Sequence, residues 1–267
     1  MKKRIFSVLL VLAVLLTMWP AGVFAESREG KTIDFAKFLE EVEKAGYQYD
    51  GKGVVVSWSP SSACTDGRSN HTCLLPSEEA PEPDGNNPQR GQAPNAQYQL
   101  FSGIEDISIS NVTFQFVPKD FTLCMNNIGW GGKFSATDIK NAELQLLNSG
   151  DVTFQNCHFD AVIASPFGSR GTSTFNDCTF ENVYNAYAIK DVYSPNLIVT
   201  SSKFTNCGGG IYLEGTADKH TVKIEGNEFF NIDTNAPDEK KNTRGLIQFS
   251  DKGDYSNAQI SITGNTS

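Results

Sequence analysis

The sequence predicts an all-β solenoid, a parallel β-helix, with one amphipathic helix ahead of it. Three observations predict it: a segment that recurs with a period in the low twenties, alternating apolar and polar residues within each copy, and turn-forming residues at one fixed place in the copies.

The copies align without strain. DVTFQNCHFDAV (151–162) matches STFNDCTFENV (173–183), LIVTSSKFTNC (197–207), VKIEGNEFFNI (222–232) and ISITGNTS (260–267), and a more distant copy, ISISNVTFQFV, occupies 107–117. The aligned phenylalanines are Phe159, Phe180, Phe204 and Phe229, in steps of 21, 24 and 25 residues. Leucine-rich units need several spaced leucines, and helical units need a 3.6-residue period; these units have almost no leucine and an alternating pattern. The turn after the first strand holds Asn156, Asp177, Ser201, Gly226 and Gly264, residues that tolerate tight backbone geometry. A second set of strands lies at 143–148, 162–167, 186–191, 210–215 and 246–251. Stacked at the sheet spacing of about 4.8 Å, the phenylalanines form one internal column. Phe154, Phe175, Val199, Ile224 and Ile262 form another. Each buried member stabilises the stack by roughly 1.5–3 kcal/mol, which no coil obtains alone.

Ahead of the repeats, residues 31–46 place Phe35, Phe38, Leu39, Val42 and Ala45 at helical spacing, with Gly46 where a C-terminal cap belongs. A short strand is expected from Val54 to Trp58. Residues 76–97 carry five prolines among polar residues and read as an exposed loop.

The first residues have the three parts of a secretory signal peptide. Lys2, Lys3 and Arg4 precede an apolar run, and Val23-Phe24-Ala25 supplies a cleavage pattern, so the cut is expected after Ala25. The apolar span is too short to cross a bilayer, and a transmembrane segment is not expected after cleavage. Removing residues 1–25 takes away three of the 22 basic residues and none of the 31 acidic ones, leaving 19 against 31 and a formal charge of −12. Such a chain, without a basic run, is a poor partner for nucleic acid or anionic membrane. The expected organisation is a signal peptide over 1–25, an N-terminal cap region over 26–100, and coils over 101–267.

In these ladders the sequence resembles the pectin-lyase-like superfamily of right-handed parallel β-helices. Its wording in SGDVTFQNCHF, NVYNAYAIKD and NCGGGIYLEG is also similar to exported surface β-helix proteins of gut bacteria. The resemblance implies that the helix at 31–46 covers the open end of the first coil. It specifies fold more than activity. The chain stops at Ser267, where other copies carry the ladder phenylalanine, and further coils are expected beyond it.

The outer face of the second strand set is the expected working surface. With Ile211 and Leu213 inward, Tyr212 and Glu214 face outward; alignment puts Ala188 and Lys190 in the preceding coil and Gln248 and Ser250 in the next. Lys190 then stands beside Glu214, with Asp191 and Asp251 at strand ends and Arg244 on a rim. The expected ligand-binding residues are Lys190, Tyr212, Glu214, Gln248, Arg244 and Trp130. Tyr212 offers an apolar ring with a polar tip for stacking on a sugar. Trp130 lies between glycines and Trp58 near a proline, and both serve equally well as packing residues. The Lys190–Glu214 pair reads equally as a solvated ion pair.

The function expected is a secreted or cell-surface, adhesin-like β-helix, monomeric, presenting its lateral sheet to a polysaccharide or cell-surface glycan. One alternative is a polysaccharide lyase, with Lys190 as base, Arg244 or Arg170 neutralising a uronate, and calcium held by Asp191 and Glu214. A glycosidase would need two opposed carboxyls, and the paired-Asp and Gly-His-Gly signature of polygalacturonases is absent. A structural stalk is the third reading. No cofactor is expected outside the lyase reading, and no metal site. His158 and His220 stand alone in the sequence, so surface roles are the default. Cys157 and Cys178 occupy one position in adjacent coils, expected as stacked thiols outside the deep core, and Cys207 as a small core residue.

Cys64 and Cys73 bracket the polar loop TDGRSNHT, and an exported chain favours a disulfide between them over zinc or free thiols. Both should resist alkylation in the untreated native protein and label after reduction. Labelling without reductant rejects the bridge.

Overall fold

The computed structural model of the protein describes residues 30–58, 97–99, 101, 103–116, 124–127, 132–135, 141–184, 186–215, 220–232 and 244–267. The signal segment, Cys64, Cys73 and Trp130 lie outside the described residues.

The N-terminal end is closed as a small unit. Strand β1 (Thr32–Asp34) runs into helix α1 (Phe35–Lys44), and Asp34 caps the helix by accepting the Lys37 N–H at 2.7 Å. Gly46, at φ 61°, lets the chain leave the helix in the left-handed region. The helix is therefore shorter than the expected 31–46. Residues 32–34 instead pair with β2 (Gln48–Trp58), because buried Ile33 docks against the sheet opposite Val56. The buried face of α1, Phe35, Phe38, Leu39 and Val42, covers the first coil, and Phe38 meets Phe114 edge-on at 5.3 Å. Strand β2 starts six residues before the expected Val54. Its register against β4 (Asp106–Phe116) breaks between Asp50 and Val54, where glycines admit a bulge. A Cβ on Gly51 would lie 2.5 Å from the Val112 side chain.

After β3 (Gln97–Gln99), a hairpin of β5 (Cys124–Asn127) and β6 (Gly132–Ser135), and β7 (Ala142–Gln145), the chain settles into regular coils. The first is β8 (Asp151–Gln155), β9 (His158–Asp160) and β10 (Val162–Ser165); the second is β11 (Thr172–Asn176), β12 (Thr179–Glu181) and β13 (Tyr187–Val192). The third is β14 (Asn196–Thr200), β15 (Lys203–Thr205) and β16 (Gly209–Glu214). The fourth is β17 (Thr221–Glu225), β18 (Glu228–Phe230) and β19 (Ile247–Phe249), followed by β20 (Gln259–Thr263). All pairing between coils is parallel. Strands β2, β4, β8, β11, β14, β17 and β20 form one run, and β4, β9, β12, β15 and β18 a second joined to it through the long β4. The lateral sheet is β3-β7-β10-β13-β16-β19.

Both expected ladders are in register. Phe159, Phe180, Phe204 and Phe229 pair coil to coil, and Phe114 of the distant copy extends the column toward the cap. The second column runs Ile109, Phe154, Phe175, Val199, Ile224 and Ile262. Three corners turn each regular coil, and left-handed residues mark them. The first corner uses Asn156, Asp177, Ser201, Gly226 and Gly264, as the sequence pattern requires. The second uses Ala161, Asn182, Asn206 and Asn231, and the third Asn148, Gly168 and Tyr193.

Immediately after the first corner, Cys157, Cys178, Ser202 and Asn227 stack inside the solenoid. They are fully buried, contrary to the expectation that this position lies outside the deep core. The corner explains the polarity. It strands backbone groups that the ladders cannot pair, and the side chain of the following coil takes them up. Ser202 Oγ accepts the Cys178 N–H at 3.1 Å, Asn227 Oδ1 the Ser202 N–H at 2.9 Å, and Asn265 Oδ1 the Asn227 N–H at 3.0 Å. Asn227 and Asn265 also donate to the Val199 and Ile224 carbonyls. Cys157, Cys178 and Cys207 are free thiols. Burial pushes the Cys178 thiol well up and Cys207 to about 12, which keeps both protonated and unreactive. Cys207 is the small core residue expected.

Phe180 is fully buried, with stacked neighbours at 4.7 and 4.8 Å, whereas Phe229 has a ring neighbour in the column only on the Phe204 side. Phe180→Ala should cost about 3–5 kcal/mol in denaturant melts and Phe229→Ala less. Equal losses would mean that the column does not carry the stack.

Candidate functional site

Position along the lateral sheet is set by the corners that feed it. The connection from β12 to β13 has five residues (182–186), whereas that from β15 to β16 has three (206–208). This two-residue difference corrects the expected alignment. Lys190 pairs with Tyr212, and Tyr212 with Gln248, as one outward row; Glu214 pairs with Val192. A shift of two keeps inward residues inward, so the alternation in the sequence could not detect it. Among the described residues no ion pair joins Lys190 to Glu214.

Two further expected members are not on the face. Ala188 is fully buried, and so is Asp191, which pairs in register with inward Leu213. Ser194 Oγ donates to the Asp191 carboxylate. Asp191 is thus a structural carboxylate inside the third corner and unsuited to hold calcium at the surface. Gln248 sits next to Tyr212 as expected, Glu214 is half-exposed, Arg244 is partly exposed in the segment leading to β19, and Asp251 is exposed in the turn after it.

An unexpected residue completes the face. Tyr187 lays its ring against Tyr212, with centroids 5.2 Å apart and planes tilted by 37°. Its hydroxyl donates to Gln248 Oε1 across the intervening coil. Gly209, its register partner, makes room, since a Cβ there would stand 2.5 Å from the Tyr187 ring. The signal for Tyr187 was present in NAYAIKD followed by NCGGGIYLEG, where a tyrosine precedes one coil's strand and glycines open the next. Tyr255 closes the far end, wedged between Gly215 and Gly253 and edge-on to Phe249 at 5.2 Å. Its hydroxyl donates to the Leu213 carbonyl at 2.7 Å and accepts the Ser250 N–H at 3.2 Å. Burial holds this phenol above its usual range, with Asp191 and Tyr212 nearby adding to the effect.

The result is a shallow aromatic and polar surface: two tilted phenol rings, an amide fixed by one of them, and the exposed Lys190 beside the other. Such a surface can stack on the apolar face of a ring and hydrogen-bond its substituents. It does not gather opposed carboxyls. Among the described residues no group of three or more His, Cys, Asp or Glu side chains is placed to hold a metal. On the other outer face, His158 is not isolated as the sequence suggested. Its Nδ1 lies 2.5 Å from Thr179 Oγ1 and its Nε2 3.8 Å from Glu181, both supplied by the next coil.

Among the described residues no helix is long and apolar enough to cross a membrane. A family model described as the right handed beta helix region matches residues 100–266. No curated protein and no solved structure matches the chain.

Proposed function

The chain belongs to the right handed beta helix family, and on that premise we propose that it is an extracellular or cell-surface binding protein whose lateral sheet receives a glycan. One observation carries the reading: Tyr187 and Tyr212 present adjoining rings on the outer sheet, with Gln248 held by Tyr187 and Lys190 in register beside Tyr212. Aromatic faces bind sugar rings through their apolar side, while the amide and ammonium supply directional contacts to hydroxyl or carboxylate oxygens. The signal-like N-terminus supports export, and the acidic balance argues against nucleic acid.

Binding fits this surface better than catalysis. A lyase must neutralise a developing anion with converging charge worth several kcal/mol, and a hydrolase needs two carboxyls across the scissile bond. Here Asp191 is turned inward, Glu214 is displaced by two residues from Lys190, and Arg244 belongs to the next coil. The geometry favours a flat contact to a flexible polymer, of modest affinity.

Tyr212→Ala combined with Lys190→Ala should weaken glycan binding at least tenfold in calorimetry or on an array, with little change in melting midpoint because both are outward. Pectin, alginate and glycosaminoglycans should yield neither unsaturated nor reducing ends, with or without calcium. Turnover abolished by Lys190→Ala would establish the lyase instead, and binding indifferent to both changes would leave the stalk.

A further inference from the structure

The third corner of successive coils is turned by Asn148 (φ 57°), Gly168 (φ 63°) and Tyr193 (φ 63°). Backbone bonds link neighbouring corners, from Asn148 N–H to the Gly168 carbonyl at 3.2 Å and from Gly168 N–H to the Val192 carbonyl at 2.7 Å. Asparagine and glycine adopt the left-handed region readily, whereas a bulky aromatic residue does so rarely. Two other aromatic residues share this conformation, Tyr47 and Phe101, and they are half-buried against one another with centroids 5.8 Å apart, so packing accounts for them. Tyr193 differs. Its side chain is 53% exposed, and its contact with an aromatic ring is edge-on to Phe167 of the preceding coil, 5.8 Å away. A left-handed tyrosine held in solvent at a corner where the two preceding coils use asparagine and glycine is a local conflict of the kind that marks function.

Tyr193 immediately follows β13, and Tyr187 begins it. Tyr212, against which the Tyr187 ring lies, is in register with Lys190, so three residues of extended chain, roughly 10 Å at about 3.3 Å per residue, separate its level from Tyr193. With one pyranose unit on each ring of the pair and about two further steps to Tyr193, the path holds about four units. Exposed Lys190 stands beside Tyr212, where that path leaves the ring pair.

We propose that Tyr193, braced by Phe167, is a second stacking subsite, so that a linear oligosaccharide of about four units crosses the solenoid along β13, from the Tyr187–Tyr212 pair over Lys190 to Tyr193. The ligand then lies across the coils and not along the solenoid axis. This rests on the glycan-binding reading and adds to it a ligand length, a direction and a residue.

The test is calorimetric titration of the full chain with homogalacturonan oligomers and cello-oligosaccharides, each from dimer to hexamer. At least one series should gain affinity up to the tetramer and then level off. Tyr193→Asn, which keeps a residue suited to the corner, should weaken tetramer binding about tenfold, leave dimer binding unchanged, and leave the melting midpoint at or above that of the wild type. Dimers that bind as tightly as tetramers, or a Tyr193→Asn variant that binds every length as the wild type does, would overturn the second subsite while leaving the glycan reading intact. A marked fall in melting midpoint for Tyr193→Asn would make the ring a structural clamp and overturn it too. Absence of wild-type binding to either series would remove the glycan reading, and the subsite with it.

Discussion

Phe114, Phe159, Phe180, Phe204 and Phe229 lie one over the next, with successive ring centroids 4.7–5.2 Å apart, and every outward position on the coils inherits that spacing. The constraint is reciprocal. Parallel backbone pairing fixes the rise from coil to coil at about 4.8 Å, and flat rings fill that rise without voids. A coil displaced by one residue would turn its whole apolar set to solvent, so the column selects one register and penalises its neighbours. The N-terminal helix continues the same logic, since Phe38 seats on Phe114 and closes the end of the stack that β4 begins.

The corners are where this economy meets its difficulty. A chain that turns three times per coil inside a dry solenoid leaves backbone donors and acceptors without ladder partners. The protein answers with left-handed residues that make the turn and with a polar column, buried Ser202 and Asn227 and partly buried Asn265, whose side chains serve the coil before them. The thiols of Cys157 and Cys178 fill the same column nearer the cap and reach the Ile109 and Phe154 carbonyls at 3.5 and 3.4 Å. They are weaker versions of one solution.

Much of this was legible in the sequence, for identifiable reasons. The inward ladders repeat chemically, as Phe over Phe and Ile over Val, and the first corner repeats as Asn, Asp, Ser and Gly, so alignment finds both. The lateral sheet was legible as strands but not in register. Apolar alternation there has a period of two, and a corner longer by two residues moves Lys190 from Glu214 to Tyr212 without disturbing the pattern. Asp191 misled because an aspartate at a strand end normally faces water, whereas here Ser194 reaches back to bind it inside the corner. Tyr187 and Tyr193 escaped notice because neither repeats. Each is a departure from its column, visible only once Gly209 and the corner residues Asn148 and Gly168 supply the comparison.

The proposed binding surface therefore depends on a register that the buried columns and the corner lengths enforce together. Paired cysteines at the surface measure that register directly. In-register neighbours on parallel strands lie within disulfide range, and partners offset by two residues lie beyond about 7 Å. With Lys190→Cys and Tyr212→Cys combined, mild oxidation of the folded protein should close a bridge between coils, the added oxidant taking up two electrons and two protons, seen as a loss of two hydrogen atoms in the intact mass. Lys190→Cys with Glu214→Cys should remain two thiols under the same treatment. Closure of the second pair in preference to the first would contradict the register, and with it the arrangement of Lys190, Tyr212 and Gln248 on which the functional reading stands.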